Sequence, residues 1–169
     1  MLIFGLAGWS GSGKTTLMTA LIPEFVARGI TVSTIKHAHH GFDVDQPGKD
    51  SWRHRQAGAS EVMVVSSRRW ALMHELRDEP EPGLEALLPH ITPVDLLLVE
   101  GFKRHPHPKI EVHRPLLGKP LLYLDDPFVV AVASEERLHG LRLPWLPLGS
   151  TACIGEFILS HDGRARWPS

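Results

Sequence analysis

The segment Gly8-Trp9-Ser10-Gly11-Ser12-Gly13-Lys14-Thr15 constrains this chain more than any other. It fits the pattern G-x-x-x-x-G-K-[ST], and its flanks decide how the pattern folds. Before it stands Leu2–Ala7, an unbroken apolar run of strand length. After it, Leu17, Met18, Leu21, Ile22, Phe25 and Val26 recur at helical spacing through Thr15–Arg28. A strand, a glycine-rich loop and a helix in that order let successive backbone N–H groups converge on an anion, with the positive end of the helix behind them. The motif predicts that Trp9, Ser10, Gly11, Ser12, Gly13, Lys14, Thr15 and Thr16 surround nucleotide phosphates. Lys14 reaches the β and γ phosphates and the Thr15 hydroxyl ligates Mg2+.

Ile30–Ile35 reads as a second strand, so the chain is β-loop-α-β within its first 35 residues, the opening of a parallel α/β sheet. The expected fold is therefore α/β, a P-loop NTPase-type three-layer arrangement with a mostly parallel sheet. Its 169 residues suit one domain, residues 1–169, with no repeat or linker to divide it. Further strands are expected at Glu61–Val65, Trp70–Leu76, Val94–Val99, Lys109–Val112, Leu121–Leu124 and Val129–Ala133. Helices are expected at Ser51–Ala57, around Leu84–Ile91 and at Thr151–Leu159. Lys plus Arg number 18 against 19 Asp plus Glu, which gives no basic surplus for a nucleic-acid surface. The single Cys153 excludes an internal disulfide, and no apolar run approaches the length of a membrane helix. A cytoplasmic setting follows as the expectation.

A phosphate loop of this kind needs a carboxylate at the end of a neighbouring strand to hold or orient Mg2+. Val94-Asp95-Leu96-Leu97-Leu98-Val99-Glu100-Gly101 supplies it: Glu100 closes a buried strand, where open α/β sheets place their sites, and Asp95 opens it. Gly101 is expected to let the backbone pass close to a nucleotide. Asp45, in the loop after strand two, is a candidate third metal ligand, although Asp is also ordinary turn chemistry. Lys36, His37, His39 and His40 follow strand two directly and read either as contacts to phosphate, substrate or partner, or as a metal site without cysteine. Arg53, Arg55, Lys103 and Arg104 are further anion candidates. His105, His107 and His113 sit in a proline-rich stretch and are expected at the surface.

The guanine-reading tetrapeptide Asn-Lys-x-Asp is absent. Glu135 and Glu136, just beyond the run Val129–Ser134, are acceptors suited to the N–H donors of guanine, or else the acidic first turn of a helix. Trp9 stands where partitioning ATPases of the deviant type carry a lysine, which argues against that subclass. No Gln follows the strand ending at Glu100 in a position to orient water, so slow turnover is expected.

Several segments together resemble one family. These are Ala7–Thr16 (AGWSGSGKTT), Ile35–Asp50 (IKHAHHGFDVDQPGKD), Arg55–Ala59 (RQAGA), Arg69–Met73 (RWALM) and Asp95–Lys103 (DLLLVEGFK). They resemble the molybdopterin-guanine dinucleotide biosynthesis protein B family over residues 1 to about 113 and again at Val129–Ser134. The resemblance implies a homodimeric GTP-binding adapter or nucleotide supplier that accompanies the guanylyltransferase joining GMP to molybdopterin, and at most a weak GTPase. It assigns phosphate binding to Gly11, Gly13, Lys14, Thr15 and Thr16, and Mg2+ to Thr15 and Glu100. Asp45 and the Lys36–His40 loop would face nucleotide or partner. Two other readings compete with it: a nickel-type metallochaperone GTPase using His37–His40, and a P-loop small-molecule kinase.

Overall fold

The computed structural model describes residues 1–38 and 41–161. The chain divides into two compact units, one of Met1–His37 with the chain from Leu87 onward, the other Ala38–Ala86.

In the first unit, β1 (Leu2–Ala7) runs into the glycine-rich loop and then α1 (Lys14–Ala27), followed by β2 (Val32–Lys36). In the second, α2 (Asp50–Gln56) precedes β3 (Glu61–Val65) and β4 (Trp70–His74). The short α3 (Leu84–Leu87) continues as a 3-10 turn at Leu88–His90. The first unit then resumes with β5 (Leu96–Glu100), β6 (Lys109–Val112), β7 (Val129–Ser134), β8 (Trp145–Pro147) and α4 (Thr151–Ser160). Its six strands form one parallel sheet in the order β2-β5-β1-β6-β7-β8.

Strand alternation splits the sheet into two faces. Phe4, Leu6, Leu96, Leu98, Ile110 and Val112 join Leu17, Leu21 and Phe25 of α1 and Ile154 and Ile158 of α4 in one buried cluster. Gly155 of α4 faces the Phe25 ring of α1 across this packed face. Ser150 caps α4 by accepting from the Cys153 N–H. By contrast α1 starts at Gly13, which has φ +98° and no side-chain cap, so its first-turn N–H groups receive no acceptor from the capping residue. The Pro23 ring is accommodated within α1, whose helical span runs on to Ala27.

On the opposite face Lys109 and Glu111 of β6 are completely buried. The Lys109 ammonium donates to the Lys103 and His105 carbonyls and to Asp126. Glu111 accepts the Leu122 and Tyr123 N–H groups. This last pair of bonds corrects the expected strand at Leu121–Leu124. With two amides drawn onto one carboxylate behind Pro120, the chain turns as a 3-10 helix, Leu122–Leu124. The short β8 carries no sequence signal beyond Trp145-Leu146, and only its pairing with β7 makes it a strand. His107 and His113 are buried, not at the surface as their proline-rich context suggested. The His107 ring fills the space beside Gly5 on β1, where a Cβ would stand 2.4 Å from His107 Nε2.

In the second unit β3 and β4 form an antiparallel hairpin in which Met63 faces Leu72 and Val65 faces Trp70, all four exposed. Arg55 of α2 binds Asp43, Asp45 and Glu75.

Candidate nucleotide site

The residues of the Gly8–Thr15 loop lie at the C-terminal end of β1, the central strand of the parallel sheet, where ligands of open α/β folds bind. Gly8 has φ +147°, and a Cβ there would meet the Val112 carbonyl at 2.5 Å and Ser12 Oγ at 2.6 Å. Only glycine lets the loop turn so tightly against β6. Ser12 Oγ is buried and makes no hydrogen bond among the described residues. Lys14 folds back over the loop, its ammonium donating to the Gly8 and Trp9 carbonyls at 3.0 and 2.9 Å. Burial holds the Lys14 pKa below its ordinary value, Lys103 and Lys36 push the same way, and Glu100 opposes them.

Glu100 sits where β5 ends, almost fully buried. The Thr15 hydroxyl donates to Glu100 Oε1 at 2.9 Å, and the Lys36 ammonium lies 3.8 Å from the same oxygen. One hydroxyl and one carboxylate side by side next to a cationic loop are a hard-oxygen donor pair of the kind Mg2+ takes. The parallel register aligns Lys36 with Glu100 and Leu6 with Glu100, which is how one strand end gathers these groups.

Trp9 lies beneath two ammonium groups, Lys103 at 4.9 Å and Lys119 at 5.7 Å from the ring centroid, and donates its indole N–H to the Pro120 carbonyl. Lys119 carried no sequence signal; it reaches the loop because Trp9 anchors the Arg114–Pro120 segment. Ser10, Gly11 and Thr16 line the exposed side of the loop. Gly101, at φ +98°, makes room for His37, since a Cβ there would stand 2.7 Å from His37 Cβ. The His37 ring packs on Phe102 at 4.7 Å. His39 and His40 lie outside the described residues, and among the described residues no group of three His, Cys, Asp or Glu side chains is arranged to hold a metal.

Asp45 and Arg53 belong to the second unit. The Asp45 carboxylate accepts from Ser51, from the Gln46 N–H and from Arg55. Burial opposes its ionisation, but these bonds together hold its pKa below the ordinary value. Arg53 is exposed on α2.

The sequence signals missed Arg114, the residue two beyond β6. Its guanidinium rests against Gly13, with Nη2 3.5 Å from where a Cβ would be, and Nη1 lies 3.5 Å from Glu135 Oε1. Nothing in the local sequence marks it; only the adjacency of β6 to β1 brings it to the loop.

Fold and site together define an α/β protein with a mostly parallel sheet and a cationic, glycine-rich loop opening its first helix. Residues 3–135 match the family model described as molybdopterin guanine dinucleotide synthesis protein B, and the chain belongs to that family. It is 50% identical over 170 residues to the molybdopterin-guanine dinucleotide biosynthesis adapter protein of Haemophilus influenzae, covering 97% of this chain and 93% of the relative. The Escherichia coli adapter protein is 43% identical, with 93% and 91% covered. A crystal structure of molybdopterin-guanine biosynthesis protein B superposes with a TM-score of 0.73 at 28% identity, covering 94% of this chain and 99% of that one. No described helix is long and apolar enough to cross a membrane.

Proposed function

We propose that this chain is an adapter in molybdopterin-guanine dinucleotide biosynthesis that binds Mg2+-GTP at the Gly8–Thr16 loop and works by binding more than by turnover. The observation that carries this reading is the joint placement of Lys14, Thr15 and Glu100 at adjacent strand ends. Lys14 exchanges the Gly8 and Trp9 carbonyls for β and γ phosphate oxygens. Thr15 and Glu100 would together hold Mg2+, and the backbone N–H groups at the start of α1 would face the phosphates. Bound Mg2+ would neutralise phosphate charge. Gly101, Phe102 and Lys103, which follow Glu100, offer no side chain able to orient water as a general base, in keeping with slow hydrolysis.

The relatives are adapter proteins of molybdopterin-guanine dinucleotide biosynthesis, and the partner proposed for this chain is a guanylyltransferase. A homodimer finds support in the hairpin of the second unit, where Met63, Val65, Trp70 and Leu72 present one exposed apolar face.

Titration calorimetry of the purified chain with GTP, GDP and ATP, with Mg2+ and with EDTA, tests the site. GTP should bind best and more weakly without Mg2+. Lys14→Ala should abolish binding with an unchanged circular dichroism spectrum, and Glu100→Gln should weaken only the Mg2+-dependent part. Undiminished GTP binding by folded Lys14→Ala overturns the reading.

A further inference from the structure

The nucleotide reading accounts for one side of the glycine-rich loop and leaves the other side without a role. Glu100, Thr15 and Lys36 gather on the side of β1 that faces β5, whereas Arg114 and Glu135 gather on the side that faces β6 and β7. A triphosphate whose metal-bound end lies at Thr15 and Glu100 therefore extends its nucleoside end toward β6 and β7.

Three strand ends lie in step there. Ala7 pairs with Glu111, Val112 pairs with Ala133, and the His113 N–H bonds to the Ala133 carbonyl. Adjacent strands are spaced by ~4.8 Å, so the residue after β7 stands about 10 Å from the loop after β1. That is the reach from a phosphate chain across a ribose to a base. Ser134 fixes the turn at this point. Its hydroxyl donates to the Glu136 carbonyl and accepts from the Trp145 indole, so the backbone that carries Glu135 is tied on both sides.

Arg114 stands midway. Its guanidinium lies on Gly13, its Nε is buried with no hydrogen-bond partner among the described residues, and its ion pair with Glu135 is long and half exposed. Such a pair contributes little to stability and is readily exchanged. The guanidinium thus holds one unused donor and one weak partner, directly beside the loop that would hold phosphates. Glu135 is a half-exposed carboxylate whose ion pair, among the described residues, is with this guanidinium.

We propose that Arg114 and Glu135 form the nucleoside end of the site, with Arg114 taking the phosphate nearest the ribose and thereby freeing Glu135 to select guanine. This rests on the nucleotide reading above and deepens it. The chemistry of the base edge makes the selection. Guanine presents two adjacent donors, N1–H and the 2-amino group, to a carboxylate that only accepts. Adenine presents the lone pair of N1 on the same edge, which a carboxylate repels. Arg114 therefore couples phosphate occupancy to base recognition: while the loop is empty it occupies the carboxylate that reads the base.

Calorimetry with GTP, XTP and ATP on the full chain and on Arg114→Ala, Arg114→Lys, Glu135→Gln and Lys14→Ala tests this. Arg114→Ala should weaken GTP binding roughly 10- to 100-fold, the range for a hydrogen-bonded charge contact, and Arg114→Lys should recover part of it. Glu135→Gln should shift preference from GTP toward XTP, whose 2-carbonyl accepts from the new amide donor. The proposal is overturned if folded Arg114→Ala binds GTP within about twofold of the parent, or if Glu135→Gln keeps the parent's base preference, while Lys14→Ala still abolishes binding. That pattern leaves the phosphate-loop reading standing. Retained binding in Lys14→Ala removes both.

Discussion

β5 and β6 flank the same strand, β1, and both are fully buried, yet one reads Leu96-Leu97-Leu98-Val99-Glu100 and the other Lys109-Ile110-Glu111-Val112. The first is the kind of strand a parallel sheet calls for, apolar on both faces until its functional end. The second places a lysine and a glutamate, each with no solvent exposure, on the face away from α1 and α4. The difference teaches that full burial selects for satisfied groups, and apolarity is only the simplest way to be satisfied. Lys109 spends its three donors on the Lys103 carbonyl, the His105 carbonyl and Asp126, and its ammonium lies 5.5 Å from the Phe128 ring centroid. Glu111 takes two backbone N–H groups. Each charge on β6 thus fastens a loop: Lys109 fastens the stretch that follows Glu100, and Glu111 fastens the turn below the Arg114–Pro120 segment. β5 brings the Glu100 carboxylate to the glycine-rich loop by its own end, while β6 holds in place the loops around it.

If that contrast is right, the two strands should respond differently to truncation. Lys109→Ala strands the Asp126 carboxylate and two carbonyls, and should cost about 3–5 kcal/mol, the range for breaking a buried ion pair from one side. Leu97→Ala on β5 should cost about 2–5 kcal/mol through cavity formation alone. The sharper test is a double-mutant cycle. Adding Asp126→Asn should return part of the Lys109→Ala loss, because it removes the stranded charge, whereas Asp126→Asn should add independently to Leu97→Ala. Urea denaturation measures the parent and the five variants. A Lys109→Ala loss below about 1 kcal/mol would mean that β6 carries its charges without depending on them.

The next largest effect is expected where β1 meets the His107 loop. A Cβ on Gly5 would stand 2.4 Å from His107 Nε2 and 2.9 Å from Lys109 Cβ. Gly5→Ala should destabilise by about 1–3 kcal/mol through overpacking, and His107→Ser in the same chain should return part of this by vacating the ring's space. No return in the double variant would place the strain at Lys109 alone.

The β5 side of the molecule was legible in the sequence for physical reasons. Leu2–Ala7, the glycine loop, the helix after it and the Leu96–Glu100 run are local patterns, and the candidate site residues they carry sit at strand ends that pattern alone locates. The β6 side was not. Lys109 and Glu111 look like surface residues because their partners, Asp126 and the Leu122 and Tyr123 amides, lie more than ten residues away in sequence. His107 looked solvated for the same reason. Arg114 has no motif, and its closeness to Gly13 follows from strand order, which no local pattern encodes. Leu121–Leu124 has strand composition, but the carboxylate of Glu111 coils it into a 3-10 turn. Long-range satisfaction, not propensity, decided those elements.

The smallest predicted effect separates the two sides by pH. Burial pushes the His107 pKa down from its ordinary 6.5 to about 4, with Lys109 and His105 adding to the shift, while the His105 backbone and Asp126 oppose it. Above pH 6.5 the imidazole is neutral folded or unfolded and contributes no pH dependence. As pH falls from 6.5 toward 4, the unfolded chain binds a proton that the folded chain refuses, so stability is lost through that window and the loss levels off below it. At pH 5.5 the loss from this one group amounts to about 1 kcal/mol. Urea midpoints measured between pH 7.5 and 5 should therefore fall more steeply for the parent than for His107→Gln, which keeps a polar side chain but cannot titrate. Parallel pH profiles for the two chains would mean that the ring is protonated in place, with its charge accommodated among Lys109, His105 and Asp126, and the exclusion of unpaired charge from the β6 face would fail at His107.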